Sequence, residues 1–465
     1  MTSKRAGVVI AAAIGAGCGG DGGTGGTPDG GMDERQTVVE LPATPNRDLD
    51  LLLVMDDSVG LLEIQGSLKV SLPLLIDRLQ RVPGGLPNLH VGVVSTDMGT
   101  RASGSPTPAP PIGQIGNGGC SGIGKNGVLQ KFLAATITGS FLSDVAQTDG
   151  TRLKNYTGDL AVTIGQMISG GAGGCGFEQP LAAMRAALEG QPANAGFLRP
   201  EAQLAVVFVT DEDDCSAAST SLFDANTSSL GPLGSFRCTR FGVTCAGGGA
   251  TPDAMNQVGV KSQCGPSPSS AVLDDIGQFR DFLRGLKSNP RQVMVAGIIG
   301  PTEPFQVELR TPPGGGDPEP GLAHSCAFQG QQGGQVADPA VRLQAFLDEF
   351  PDRSMSSTVC KQDLSAGVKG IGDLIGRVIG SPCVAAQLAD AKPDEPGLQV
   401  DCVVEDVVGT TATKLEPCDA GAQPCWKLEA DAASCSGPGN LKLAVARSSP
   451  PVPETVTRMR CAVEP

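Results

Sequence analysis

The sequence predicts a doubly wound, mainly parallel α/β sheet with long disulfide-pinned insertions, followed by a small cysteine-rich β module at the C-terminus. Three observations carry this. Apolar runs such as "DLLLVM" (50–55), "NLHVGVVST" (88–96), "AQLAVVFVT" (202–210) and "RQVMVAGIIG" (291–300) lack polar alternation, as strands covered on both faces do. Between them lie segments with apolar residues at helical spacing, which places helices on the two faces of a parallel sheet. Gly/Pro-rich stretches near 99–125, 215–270 and 300–338 hold Cys120, Cys238, Cys245, Cys264 and Cys326, and six more cysteines lie between Cys383 and Cys461.

Taken in order, the chain opens with Lys4 and Arg5 before an apolar stretch, 7–17, too short to span a bilayer. This reads as a signal peptide over 1–17. Ala16-Gly17-Cys18 resembles a bacterial lipobox, with Gly15 where that motif usually has leucine, so Cys18 is the expected lipidation site. A Gly-rich tether follows over 18–46. The first strand (50–55) leads into a helix at 60–79, on which Leu61, Ile64, Leu68, Leu75 and Leu79 recur on one face. The second strand is 88–96. Helices are expected at 177–190, 272–286 and 363–380, with Leu364, Val368, Ile371, Ile375 and Val378 forming the apolar face of the last. The α/β domain therefore spans 47–382 and the β module 383–465. "CVVEDVV", "CWKLEADAASC" and "LKLAVARS" supply short strands to that module, and its only tryptophan, Trp426, reads as a packing residue against a disulfide.

Composition narrows the function. The 465 residues are 40% hydrophobic but only 3% aromatic, and carry a net charge of −15. No cationic stripe is visible for nucleic-acid phosphates. Fifteen cysteines are an awkward number for an exported protein, and assigning Cys18 to a lipid leaves fourteen that can pair. No C-x-x-C pair occurs, so export to an oxidising envelope explains them better than zinc does. Connectivity is not readable from spacing. The expected place is the cell envelope, at the outer membrane or cell surface, with membrane attachment through the N-terminal lipid.

Three acidic segments, "MDDSVG", "STDMG" and "TDEDD", stand at carboxyl ends of strands. In open α/β sheets that edge is where ligands bind. The order strand–"DDSVG"–helix, "VGVVSTDMG", a Gly-rich loop and helix, then "VVFVTDEDD" resembles a von Willebrand factor type A domain. More narrowly it is similar to cysteine-rich secreted lipoproteins of myxobacteria and their relatives. Their "DNSGSM", "GVVTTDMG", "GCGFEQPL" and "ITDEDDCS" parallel "DDSVGL", "GVVSTDMG", "GCGFEQPL" and "VTDEDDCS" here.

The resemblance implies a metal-ion-dependent adhesion site at the strand tips. Mg²⁺ wants six hard oxygens in near-octahedral geometry. Asp56 and Ser58 match the first aspartate and first serine of that motif, and Asp211 matches its later aspartate. Gly60 stands at the second serine and Ala172 at the threonine, so two oxygens are missing. Asp97, Asp213 and Asp214 are the candidate compensating ligands, for weak Mg²⁺ or the more permissive Ca²⁺. The alternative is that Asp56, Ser58 and Asp211 only order their loops through hydrogen bonds.

Catalysis finds little support. His90 lies within a strand and His324 within an insertion, and no nucleophile elbow, P-loop or dinucleotide-binding turn stands in context. The leading expectation is a non-enzymatic adhesion protein that meets a protein partner through this edge. A structural envelope lipoprotein binding through loops or tail is the alternative, and a hydrolase using the acidic edge ranks third.

Overall fold

The computed structural model describes residues 36–464 except 44–45, 116–117, 313–314, 332, 433–434, 436 and 453. The signal peptide, Cys18 and most of the tether lie outside the described residues. The central sheet has seven strands: β1 (Asp48–Met55), β2 (Asn88–Ser95), β3 (Leu142–Ala146), β4 (Arg152–Lys154), β5 (Gln203–Val209), β6 (Val293–Ile299) and β7 (Ser354–Thr358). Their order is β7-β6-β5-β1-β2-β3-β4. The strands from β7 to β2 run parallel, and β3 and β4 are antiparallel additions at one edge.

The unbroken apolar run of β1 follows from two cores. Leu49, Leu51, Leu53 and Met55 point to one face, where α1 (Leu62–Gln80), α2 (Leu160–Met167) and α6 (Ser365–Ile379) pack. Leu52 and Val54 point to the other, covered by α3 (Pro180–Leu188), α4 (Ile276–Gly285) and α5 (Val341–Asp348). A strand buried on both sides has no place for polar alternation. Its buried charge, Asp50, is held by Arg199 Nε at 2.8 Å and Lys287 Nζ at 3.8 Å.

Two of the stretches read as surface loops are themselves folded. Val243–Gly247, Gly259–Pro266, Phe305–Arg310 and Glu319–Leu322 form a four-stranded sheet with its own core of Val243, Met255, Phe305, Val307 and Leu322. Disulfides Cys120–Cys175, Cys215–Cys238, Cys245–Cys264 and Cys326–Cys360 fasten the insertions.

The C-terminal module contains two small sheets and disulfides Cys383–Cys435, Cys402–Cys461 and Cys418–Cys425. All fourteen cysteines from Cys120 onward are thus paired, which fits an extracellular or surface protein. Trp426 is buried in this module's core beside Val39, Val404 and Leu443, and donates Nε1–H to the Leu415 carbonyl at 3.1 Å. Gln36–Pro42, within the stretch read as tether, is an edge strand of this module, antiparallel to Val456–Ala462. Only the adjacent Val39 and Glu40 are buried, between half-buried neighbours, which leaves no strand period in the sequence to separate this stretch from a linker.

Candidate functional site

The carboxyl ends of β1, β2 and β5 converge as their parallel register requires, with Met55 beside Ser95 and Val209. Asp56 is fully buried. Its Oδ1 accepts from the Ser58 amide at 2.7 Å and its Oδ2 from Thr210 Oγ1 at 2.7 Å. Burial nevertheless pushes its pKa up, against those hydrogen bonds. Ser58 caps the short turn Val59–Leu61 without a side-chain hydrogen bond to it. Asp57 is also buried; its Oδ1 accepts from Ser95 Oγ at 2.7 Å and its Oδ2 pairs with the Lys125 ammonium.

The Gly-rich loop that carries Ala172 docks on this tip. The Gly174 amide donates to the Asp57 carbonyl at 2.8 Å, and Gln65 exchanges two hydrogen bonds with Gly171. At Gly174 a Cβ would run into Asp57, so the loop's close approach needs glycine. Cys120–Cys175 then ties the 99–125 insertion to the same loop.

Asp211 reaches the tip from β5. Its Oδ1 is buried with no partner, and its Oδ2 fills the space that a Cβ on residue 60 would need. Burial, followed by the charges of Asp56, Glu212 and Asp338, holds its pKa well above the usual carboxylate range. Two acids that sequence reasoning did not single out share this environment. Glu178, in the quoted "GCGFEQPL", is 1% exposed; its Oε2 accepts from Thr96 Oγ1 while Oε1 has no partner. Burial, then Asp56 and Glu212, push it well up. Glu212 is likewise raised well above its ordinary value, by burial and then Asp338 and Asp56. The sequence signal available was a glutamate set among buried apolar residues at the start of a helix.

The three acids offered as compensating ligands are committed elsewhere. Asp97 accepts from the Gly99 amide at 2.9 Å and lies 3.6 Å from Lys125 Nζ. Asp213 accepts from the amides of Arg342 and Leu343 at the start of α5. Burial raises its pKa to about 6 against those bonds. Asp214 forms a buried pair with Arg342 at 3.0 Å. His324, which lies within an insertion, is folded back beside the acidic edge: its Nδ1–H donates to Asp338 Oδ1 at 2.7 Å. The Asp338 amide in turn donates to the Asp211 carbonyl at 2.7 Å. His90 donates from Nδ1 to the Phe197 carbonyl at 2.9 Å, before the middle of β2 and away from the tips.

The unpartnered oxygens of Asp211 and Glu178 are of the kind a cation takes. The rest of the set does not fit a Mg²⁺ shell: Gly60 and Ala172 offer no side-chain oxygen, and Asp97 and Asp213 are engaged by an ammonium and a helix terminus. Among the described residues, no group of three or more His, Cys, Asp or Glu side chains is arranged to hold a metal ion. Beside the tips lies a cavity of about 410 Å³, walled by the folded insertions and lined by Glu212, Asp338, Thr239, Phe236 and Arg310.

No family model matches the chain, and no curated protein matches it. Among solved structures, it aligns with the pilus adhesin SpaC of Lactobacillus rhamnosus GG at 11% identity and TM-score 0.32, over 92% of this chain and 41% of that one. A von Willebrand factor type A protein from Catenulispora acidiphila aligns at 11% identity and TM-score 0.28, over 93% and 61%. The pilus adhesin RrgA of Streptococcus pneumoniae aligns at 12% identity and TM-score 0.28, over 93% and 60%. The chain thus spans less than two thirds of the length of these structures.

Proposed function

We propose that this is a non-enzymatic binding protein of the cell envelope, held by a lipid on Cys18, that offers the carboxyl edge of its parallel sheet to a protein partner. The observation that carries this reading is the convergence at one edge of three separate segments: the Asp56–Ser58 tip, the Gly170–Gly176 loop and the insertion bound to it by Cys120–Cys175. Val59, Leu62, Ile115 and Ile123 stand exposed on those segments. Exposed apolar side chains around a rigid, disulfide-fixed rim suit association with another protein. The acids inside the rim serve as an electrostatic floor, in an adhesion-type site whose metal ligands are incomplete.

A hydrolase reading would need a nucleophile or an activated water. The His324–Asp338 pair has no side-chain hydroxyl or thiol bonded to the imidazole among the described residues, so no protein nucleophile is positioned beside it. The envelope-structural alternative places binding on the disulfide-bound loops or the tail. Surface plasmon resonance of the purified chain against envelope fractions separates the two. Val59→Asp should abolish binding while Val403→Asp on the β module leaves it intact; the reverse pattern transfers function to the module.

A further inference from the structure

On the α3–α4 face of the sheet, a cavity of about 490 Å³ is walled by the turn that follows β2, by α3 and by the start of α4. Arg101 lines it and is half-buried. Every other arginine among the described residues gives its guanidinium to a carboxylate or a carbonyl. Arg101 alone makes no side-chain hydrogen bond or ion pair, and its guanidinium is not sealed from the cavity. Asn126 lines the same cavity. Its backbone carbonyl accepts from Gln191 at 3.0 Å, but its side-chain amide bonds to no described residue.

The backbone that carries Arg101 is fixed from below. Gln179, buried in "GCGFEQPL", donates from Nε2 to the Gly99 carbonyl at 3.1 Å and to the Arg101 carbonyl at 3.4 Å. Its Oε1 accepts from the Ala217 amide at 3.1 Å. The guanidinium thus stands on a braced turn with nothing of its own to bind. Two carboxylates also line the cavity, and both are engaged. Glu189 accepts both arms of Arg185 at 3.0 Å. Asp274 Oδ1 accepts from Ser103 Oγ at 2.7 Å and from Gln278 Nε2 at 3.0 Å, while its Oδ2 is closed off from water. Arg342, outside the cavity, faces Asp274 from behind. The one open charge in the lining is therefore that of Arg101.

We infer that this cavity takes a single carboxylate group carried on an apolar body. The guanidinium fork matches a carboxylate with two parallel charge-assisted bonds, and the Asn126 amide adds a further donor. Met98, Ala182 and Ala186 supply an apolar wall beside them, and the volume is that of a small-molecule pocket. A dianion such as phosphate would meet one open cation with two carboxylates near it, so the lining suits a single negative charge. The carboxylate has two sources of the same chemistry, a free organic acid or an acidic side chain of a bound polypeptide. The inference does not depend on the partner proposed for the exposed apolar rim.

The test is calorimetric titration of the full chain with hexanoate, hexanol, inorganic phosphate and the end-blocked peptide acetyl-Ala-Glu-Ala-amide. The expected result is saturable one-site binding of hexanoate or of the peptide, with no binding of hexanol and none of phosphate. Arg101→Gln should weaken carboxylate binding about tenfold or more, and Arg101→Lys, which keeps the charge but loses the fork, should weaken it less. Because the guanidinium bonds to nothing in the folded chain, the urea midpoint of Arg101→Gln should match that of the native protein, so its loss of binding is not a loss of fold. Tighter binding of hexanoate assigns the site to a free acid, and tighter binding of the peptide assigns it to an acidic side chain; either supports the inference. Absence of binding by both overturns it. So does carboxylate binding that Arg101→Gln leaves unchanged, since the acid would then sit elsewhere. Hexanol binding as tightly as hexanoate overturns the charge pairing, and phosphate binding more tightly than both carboxylates overturns the preference for a single charge.

Discussion

Asp211→Asn should stabilise the protein at neutral pH and lose that advantage near pH 4. In the folded chain Asp211 Oδ1 is unpartnered, and the groups acting on the carboxyl are burial first and then Asp56, Glu212 and Asp338, all of like charge. Its folded pKa is accordingly raised, while in the unfolded chain it returns to about 3.9. Between those two values the folded state holds more protons than the unfolded state, so stability falls as pH rises through the window. Below the unfolded value both states are protonated and the penalty vanishes. Each pH unit of the window is worth about 1.4 kcal/mol. An amide of the same shape cannot ionise, and its NH₂ can donate to the neighbouring carboxylates. A gain of about 1 kcal/mol or more at pH 7.5, with none at pH 4, is the expected outcome. Urea denaturation at both pH values, without divalent ions and with m-values compared, measures it. Equal destabilisation at the two pH values would refute the reasoning, because Asp211 would then be ionised and usefully bonded in the native state.

Gly60→Ser alone should cost about 1–3 kcal/mol, because its Cβ takes the space of Asp211 Oδ2; paired with Ala172→Thr it should bring Mg²⁺ binding above the native level by calorimetry. If the double variant binds no Mg²⁺, the loops are not arranged as a metal site. Replacing both Cys120 and Cys175 by serine opens a link across 55 residues and should cost about 4 kcal/mol in the entropy model, read from urea midpoints. Asp50→Ala leaves Lys287, whose side chain is 0% exposed, without its buried counter-charge and should cost about 3–5 kcal/mol; Asp50→Leu, tested alongside, should lose a comparable amount, since the cations remain.

Legibility in the sequence followed burial. Strands β1, β5 and β6 and helices α1 and α6 were readable because a segment covered on one or two faces must be apolar in a fixed pattern, and the acids at the strand tips were placed by the same register. Ser354–Thr358 was not readable: as an edge strand it is half-exposed and spells "SMSST", which has no apolar period. Val341–Asp348 escaped for the opposite reason, being short and entered from a Gly/Pro-rich insertion, and its N-terminus is held by Asp213 from far away in sequence. That single contact also explains why Asp213 looked like a free ligand, since a one-dimensional reading cannot see which carboxylate a distant helix will claim. Lys125 misled in the same way by neutralising Asp57 and Asp97 from inside an insertion. Asp56, Glu178, Asp211 and Glu212 remain as the strand-tip acids with no cation assigned among the described residues. The strand-tip acids left without a cation are therefore held toward their protonated forms by burial, and on the proposed reading substitutions there, rather than at Asp97 or Asp213, should change what the edge binds.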